Sequence, residues 1–281
     1  MQAGGRRRTT SLVARILIWV TATTNCAAFN DAHLHYDADI HEALPPARIS
    51  EVLDAAGIDR AVITSRPPQL VAELAAAQPG RVLPLLGVYE NAVNKETWMY
   101  DAALPGRLAR RLDAMHWCGI GELHLFAAGR HSAVFQQVVE LAVERDLALL
   151  IHGDPAVIDA LFELAPAARV VWAHAGAYPY PPLLADYLRR HPNLYIDTSV
   201  RDERIAPDGV LDDDWAWLFM EYPERFLVGV DTFRPERWAE LPSVARTIRA
   251  WLAQLPPDVA TLIAHENLPR IYRCRLSDSD Q

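Results

Sequence analysis

Cysteine is nearly missing from this chain. Cys26, Cys118 and Cys274 are the only three, none in CxxC spacing, so a disulfide framework is excluded. Cys118 and Cys274 allow two buried thiols or, in an oxidising compartment, one bridge. Beyond the N-terminus no run approaches the roughly 18 apolar residues that a bilayer requires, and no linker or low-complexity tract divides the chain. Positive charge is also in deficit. The formal net charge is −9, which argues against a partner bound through its phosphates.

What is present is the composition of a folded globular protein, 51% hydrophobic and 22% charged. Residues 1–28 stand apart. Arg6, Arg7 and Arg8 precede "SLVARILIWVTATT" and then "NCAAF", the order of a secretory signal with a basic head, an apolar middle and a small-residue exit near Ala28. A periplasmic or secreted protein is expected, with an uncleaved cytoplasmic extension as the alternative. Cleavage there removes four arginines and no acid, leaving 253 residues with a charge of −13.

In residues 29–281, eight β-rich runs alternate with amphipathic helical stretches. The runs are 29–35, 59–65, 81–89, 119–126, 147–153, 168–176, 193–200 and 226–233. Near-continuous apolar runs are typical of parallel strands covered on both faces. Eight β-then-α units in this length predict a single-domain (β/α)8 TIM barrel of the α/β class. A doubly wound sheet would want a glycine-rich phosphate turn after its first strand, where "HLHYDAD" stands instead.

Barrel enzymes carry their chemistry at the C-terminal ends of the strands. There the sequence places His33 and His35, Glu122, His152, His174, Asp197 and Asp231. One HxH pair is a weak signal. Four histidines and a terminal-strand aspartate at one rim are a strong one, because residues i and i+2 of a strand share a face. Imidazole nitrogens with carboxylate oxygens suit zinc first, with manganese, iron or cobalt as alternatives. His124 shares the face of Glu122 as a pocket wall, and Asp154 is expected to cap a helix beginning at Pro155. Loops at the strand ends carry Arg66, Tyr89, Trp98, Tyr178, Arg201 and Arg234. Of these, Arg201, Arg234, Tyr178 and Trp98 are the expected substrate contacts, suited to a small carboxylate or aromatic molecule.

The segments "DAHLH", "LLIHGD", "VVWAHAG", "NLYIDTS", "LVGVDTF" and the late "HENLPRIY" resemble the amidohydrolase superfamily, and more closely its amidohydrolase-2 branch of hydrolases and decarboxylases. The resemblance implies that His33, His35, His152 and Asp231 surround a divalent ion, with His174 as ligand or catalytic group. Glu122 resembles the strand-four glutamate that bridges two metals in TatD-like barrels; one ion is expected, or two if it bridges. Asp197, with Thr198 and Ser199, is expected to support a ligand. The implied activity is hydrolysis of an amide, ester or lactone, with Asp231 as general base and acid and His174 beside the developing oxyanion. Non-oxidative decarboxylation of an aromatic or unsaturated acid is the alternative, and a TatD-like two-metal hydrolase or a catalytically dead scaffold ranks lower. A homo-oligomer is compatible with the sequence.

Overall fold

The computed structural model describes residues 28–274. Eight strands lie in chain order in one parallel sheet: β1 Phe29–His35, β2 Ile58–Thr64, β3 Val82–Leu86, β4 Gly119–Leu125, β5 Ala148–Gly153, β6 Arg169–Trp172, β7 Leu194–Asp197 and β8 Phe226–Leu227. The sheet curls until its ends meet. Ala32 N–H donates to the Val228 carbonyl (2.9 Å) and Asp231 N–H to the His33 carbonyl (2.7 Å), which joins β1 to the chain leaving β8. The signal-like residues 1–27 lie outside the described residues.

The helices form where the sequence supplies apolar faces and ends. Asp154 accepts from Val157 N–H at the start of Pro155–Leu164, and Ser132 caps Ala133–Glu144 in the same way. Gly57, left-handed at φ 65°, stops Pro46–Ala56 where a side chain would be strained. Two apolar layers result. Side chains such as Leu53, Phe135, Leu161, Trp172 and Trp251 fill the space between sheet and helices. Inside the barrel, Val62, Leu83, Leu85, Leu150, Val171 and Leu227 pack on Leu268, Ile271 and Tyr272 of the last helix, Asn267–Tyr272. That helix seals the end where the strands begin. Asn267 Nδ2 donates to the carbonyls of Pro223 and Phe226, both at 2.8 Å. A disulfide joins Cys118, just before β4, to Cys274, just after the helix.

The run expected to reach 89 ends as strand at Leu86, and three later strands are also shorter than the sequence pattern. The runs expected to reach 176, 200 and 233 end as strand at Trp172, Asp197 and Leu227. His174, Val200 and Asp231 take φ of 59°, 56° and 60°, a left-handed conformation that no strand can continue. Apolar composition records burial, and these residues remain buried or nearly so after the ladder has stopped.

Candidate metal centre

Alternation along the strands sets both the core and the site. In β5, Leu150 faces the barrel interior and His152, two residues on, faces its mouth; Tyr195 and Asp197 of β7 repeat the arrangement. The interior is therefore apolar where it meets the sealing helix and polar at the rim. His33, His35, Glu122, His124, His174, Asp197 and Asp231 are all buried there, while the His152 side chain keeps 36% of its surface.

Glu122 is the hub. Its Oε1 lies 2.9 Å from His152 Nδ1 and 3.1 Å from His174 Nε2. Its Oε2 lies 3.4 Å from both His35 Nε2 and His124 Nε2 and 3.7 Å from His33 Nε2. The two β1 histidines turn their Nε2 atoms toward each other at 3.2 Å, and Asp231 Oδ1 stands 3.3 Å from His35 Nε2 and 3.9 Å from His33 Nε2. Five imidazoles and two carboxylates thus share a space a few ångströms across.

The tautomers follow from the outer partners. His33 Nδ1 donates to Asp197 Oδ2 at 2.8 Å, so the neutral ring presents a lone pair at Nε2. Ser199 Oγ–H is committed to the same Asp197 oxygen at 2.6 Å; Ser199 Oγ therefore accepts from His174 Nδ1 at 2.8 Å, which fixes the ring with Nε2 toward Glu122 Oε1. His124 differs. The Tyr89 hydroxyl accepts from His124 N–H at 2.6 Å and gives its own proton to His124 Nδ1 at 3.2 Å, leaving Nε2–H to face Glu122. Burial holds the His124 pKa down at about 2, so the ring stays neutral as a donor in the pocket wall.

Charge balance tests whether a cation fits. Burial opposes charge on His33, yet Glu122, Asp231 and the bond to Asp197 raise its pKa well above the usual histidine value. Burial likewise opposes charge on Glu122, but His124 and His33 and the bonds from His152 and His174 hold it well below the usual carboxylate range. This is a position of concentrated negative potential lined with imidazole nitrogens. Asp231 Oδ1 and His35 Nδ1 are buried with no hydrogen-bond partner among the described residues. His33, His35 and Glu122 offer ligand atoms within 4.8 Å of one another, as do Glu122, His124 and His152, and His33, His174 and Asp197. Nitrogen and oxygen donors in this arrangement fit a divalent ion.

The other sequence-selected residues divide into pocket and frame. A cavity of about 430 Å³ at the rim is lined by His35, Arg66, Glu122, His152, His174, Arg201, Asp231 and others. Arg201 Nε donates to the His174 carbonyl (2.6 Å) and Nη2 to that of Gly176 (2.9 Å), so it holds the left-handed turn carrying His174. Trp98 is buried outside the pocket lining and donates from Nε1 to the His124 carbonyl at 2.8 Å, bracing the wall from behind. Tyr178 is exposed, and Arg234 forms surface ion pairs with Glu236 and Glu240. Neither lines the cavities at the rim. Thr198 Oγ1 bonds to the Leu227 carbonyl and ties β7 to β8.

Sequence reasoning passed over Lys95, Phe126, Met99 and Phe233, all of which line the mouth. Lys95 carried one signal: it is the single lysine of the chain, against 26 arginines.

Residues 31–274 match the model of the amidohydrolase family. No curated protein matches the chain. Among solved structures, an uncharacterised TIM-barrel protein from Bordetella bronchiseptica superposes with a TM-score of 0.60 at 16% identity, covering 88% of this chain and 98% of that one. An amidohydrolase from Burkholderia multivorans with bound zinc gives 0.56 at 15% identity, with 89% and 100% covered. A probable 2-pyrone-4,6-dicarboxylic acid hydrolase from Acinetobacter baumannii, with citric acid bound, gives 0.58 at 14% identity, with 87% and 99% covered. At these identities the likeness is one of fold.

Proposed function

Because the chain belongs to the amidohydrolase family, we propose that it is a metal-dependent hydrolase that opens an amide, ester or lactone bond in a small organic substrate. One observation carries the reading: the Nε2 atoms of His33 and His35 lie within 4 Å of each other and of the carboxylates of both Glu122 and Asp231 at the rim, with Asp231 Oδ1 buried and without a hydrogen bond among the described residues. His33, His35, Glu122 and Asp231 would hold one divalent ion, zinc by the softness of its imidazole ligands. His152, on the far side of Glu122, and His174 would serve a second ion if Glu122 bridges. Bound there, a divalent ion polarises a carbonyl and lowers the pKa of coordinated water toward about 7.

The remaining work falls to the chain. Asp231, which lines the cavity, accepts the proton of the attacking water and returns it to the leaving group. His174, oriented by Ser199, lies 3.8 Å from Asp231 Oδ2 and steadies the oxygen on which charge develops. Asp197 keeps His33 in the tautomer that offers Nε2.

Elemental analysis of protein purified without chelators, beside a screen of lactones, amides and esters, tests this. Near-stoichiometric metal and turnover are expected, with Asp231→Asn lowering kcat by about 10³-fold or more while substrate binding survives. Metal-free active protein would defeat the reading, and carbon dioxide release without hydrolysis would move the enzyme to the decarboxylases.

Export to the periplasm or beyond is part of the proposal, supported by the Cys118–Cys274 disulfide, a bond that persists in oxidising compartments. N-terminal sequencing of mature protein should find cleavage near Ala28; an intact Met1 would refute it.

A further inference from the structure

The pocket mouth holds three cations, and two are already fixed by side-chain hydrogen bonds. Arg66 donates from Nε to Asp37 Oδ2 at 2.8 Å and also from Nη2, while its backbone N–H takes the other carboxylate oxygen at 2.7 Å. Arg201 spends Nε and Nη2 on the carbonyls of His174 and Gly176. Lys95 makes no ion pair or hydrogen bond among the described residues, although it is half-buried; burial lowers its pKa from the usual lysine range, against the more distant attraction of Glu122, Asp231 and Asp37. Its position is built. It lies on the turn Ala92–Glu96, where Asn91 accepts from Val93 N–H at 3.0 Å and Asn94 accepts from the backbone of Glu90 and Asn91.

Two chambers share Lys95 in their lining. Toward the barrel axis lies the polar cavity with Glu122, His174 and Asp231. Beside it opens a chamber of about 510 Å³ lined by Glu96, Met99, Tyr100, Phe126, Ala128 and Gly129, sharing Lys95, His124 and His152 with the first. A cation without an ion pair, at the junction of a reactive and a largely apolar compartment, calls for one ligand with three parts.

We propose that Lys95 anchors the carboxylate of a monoanionic organic acid whose apolar or aromatic body occupies the Met99–Phe126 chamber, with the bond to be cleaved directed at the Glu122–Asp231 side. This rests on the reading of the polar cavity as the hydrolytic site. A single point charge without the guanidinium fork selects one negative charge rather than a planar bidentate pair.

With one lysine in the chain, reductive methylation using ¹³C-formaldehyde labels Lys95 and the α-amino group alone, and keeps the charge. Titrating the metal-loaded protein with phenylacetate should move the Lys95 methyl resonance saturably, while neutral phenylacetamide leaves it in place. By calorimetry, Lys95→Gln should weaken phenylacetate binding about 10-fold or more and Lys95→Arg should restore most of it, the effect of one charged hydrogen bond. An unmoved resonance, or equal phenylacetate affinity in Lys95→Gln, overturns the anchor. These readouts need no turnover: a carboxylate bound at Lys95 in a protein that hydrolyses nothing upholds the anchor while the hydrolase reading fails, and turnover with Lys95 untouched does the reverse.

Discussion

Asp31, two residues ahead of His33, is buried, accepts from the backbone N–H groups of His33 (2.9 Å) and Val230 (3.3 Å), and leaves Oδ2 without a partner. Burial pushes its pKa up to about 8. An acid whose folded pKa is raised is protonated in the fold and ionised more readily in the unfolded chain. Its penalty is absent below the ordinary carboxylate range, grows as pH rises toward about 8, and is constant above. Asp31→Asn keeps the acceptor and removes the charge, so its gain in thermal midpoint over the parent should be larger at pH 9 than at pH 4. Midpoint curves that run parallel across that range would reject this account. Nothing in "FNDAHLH" distinguishes Asp31 from a metal ligand; only its position below the rim shows that it holds backbone.

At the scale of the element, β7 and the chain leaving β8 approach so closely that Gly229 is required. A Cβ at 229 would stand 2.7 Å from Asp197 Oδ1 and 3.1 Å from His33 Cβ. Gly229→Ala must therefore displace the carboxylate that orients His33. We expect metal affinity to fall about 10–100-fold, measured by competition with a chromogenic chelator, with the fold retained by circular dichroism. Unchanged affinity would mean that Asp197 does not control the centre. The short β6 and β8 express a related constraint: left-handed residues at His174 and Asp231 turn their side chains into the mouth at the expense of strand length. The repeat of apolar runs and the cap at Asp154 were legible because burial and capping are local. The strand ends were not, because a left-handed residue has no mark in hydropathy.

For the whole molecule, the Cys118–Cys274 disulfide spans 156 residues and ties the sealing helix to β4. Closing so long a loop in the unfolded chain is worth about 2–5 kcal/mol, so the Cys118→Ser, Cys274→Ser double variant should lose several degrees in thermal midpoint. Equal midpoints would show that the bond contributes nothing to stability. The pairing was one of two options open in the sequence, since 156 residues of separation say nothing about proximity until the barrel closes.

Eight apolar runs, the helical faces between them and the polar residues at their ends settled the barrel and the members of its rim, since period and burial are written into consecutive residues. Which of them converge is a matter of folding. That His35 meets Asp231 across the closing seam, that Tyr89 makes His124 a neutral donor, that Arg201 is spent on carbonyls and Arg234 on the surface, and that the lone lysine stands unpaired between two chambers all depend on distances through space. No periodicity along a chain encodes them.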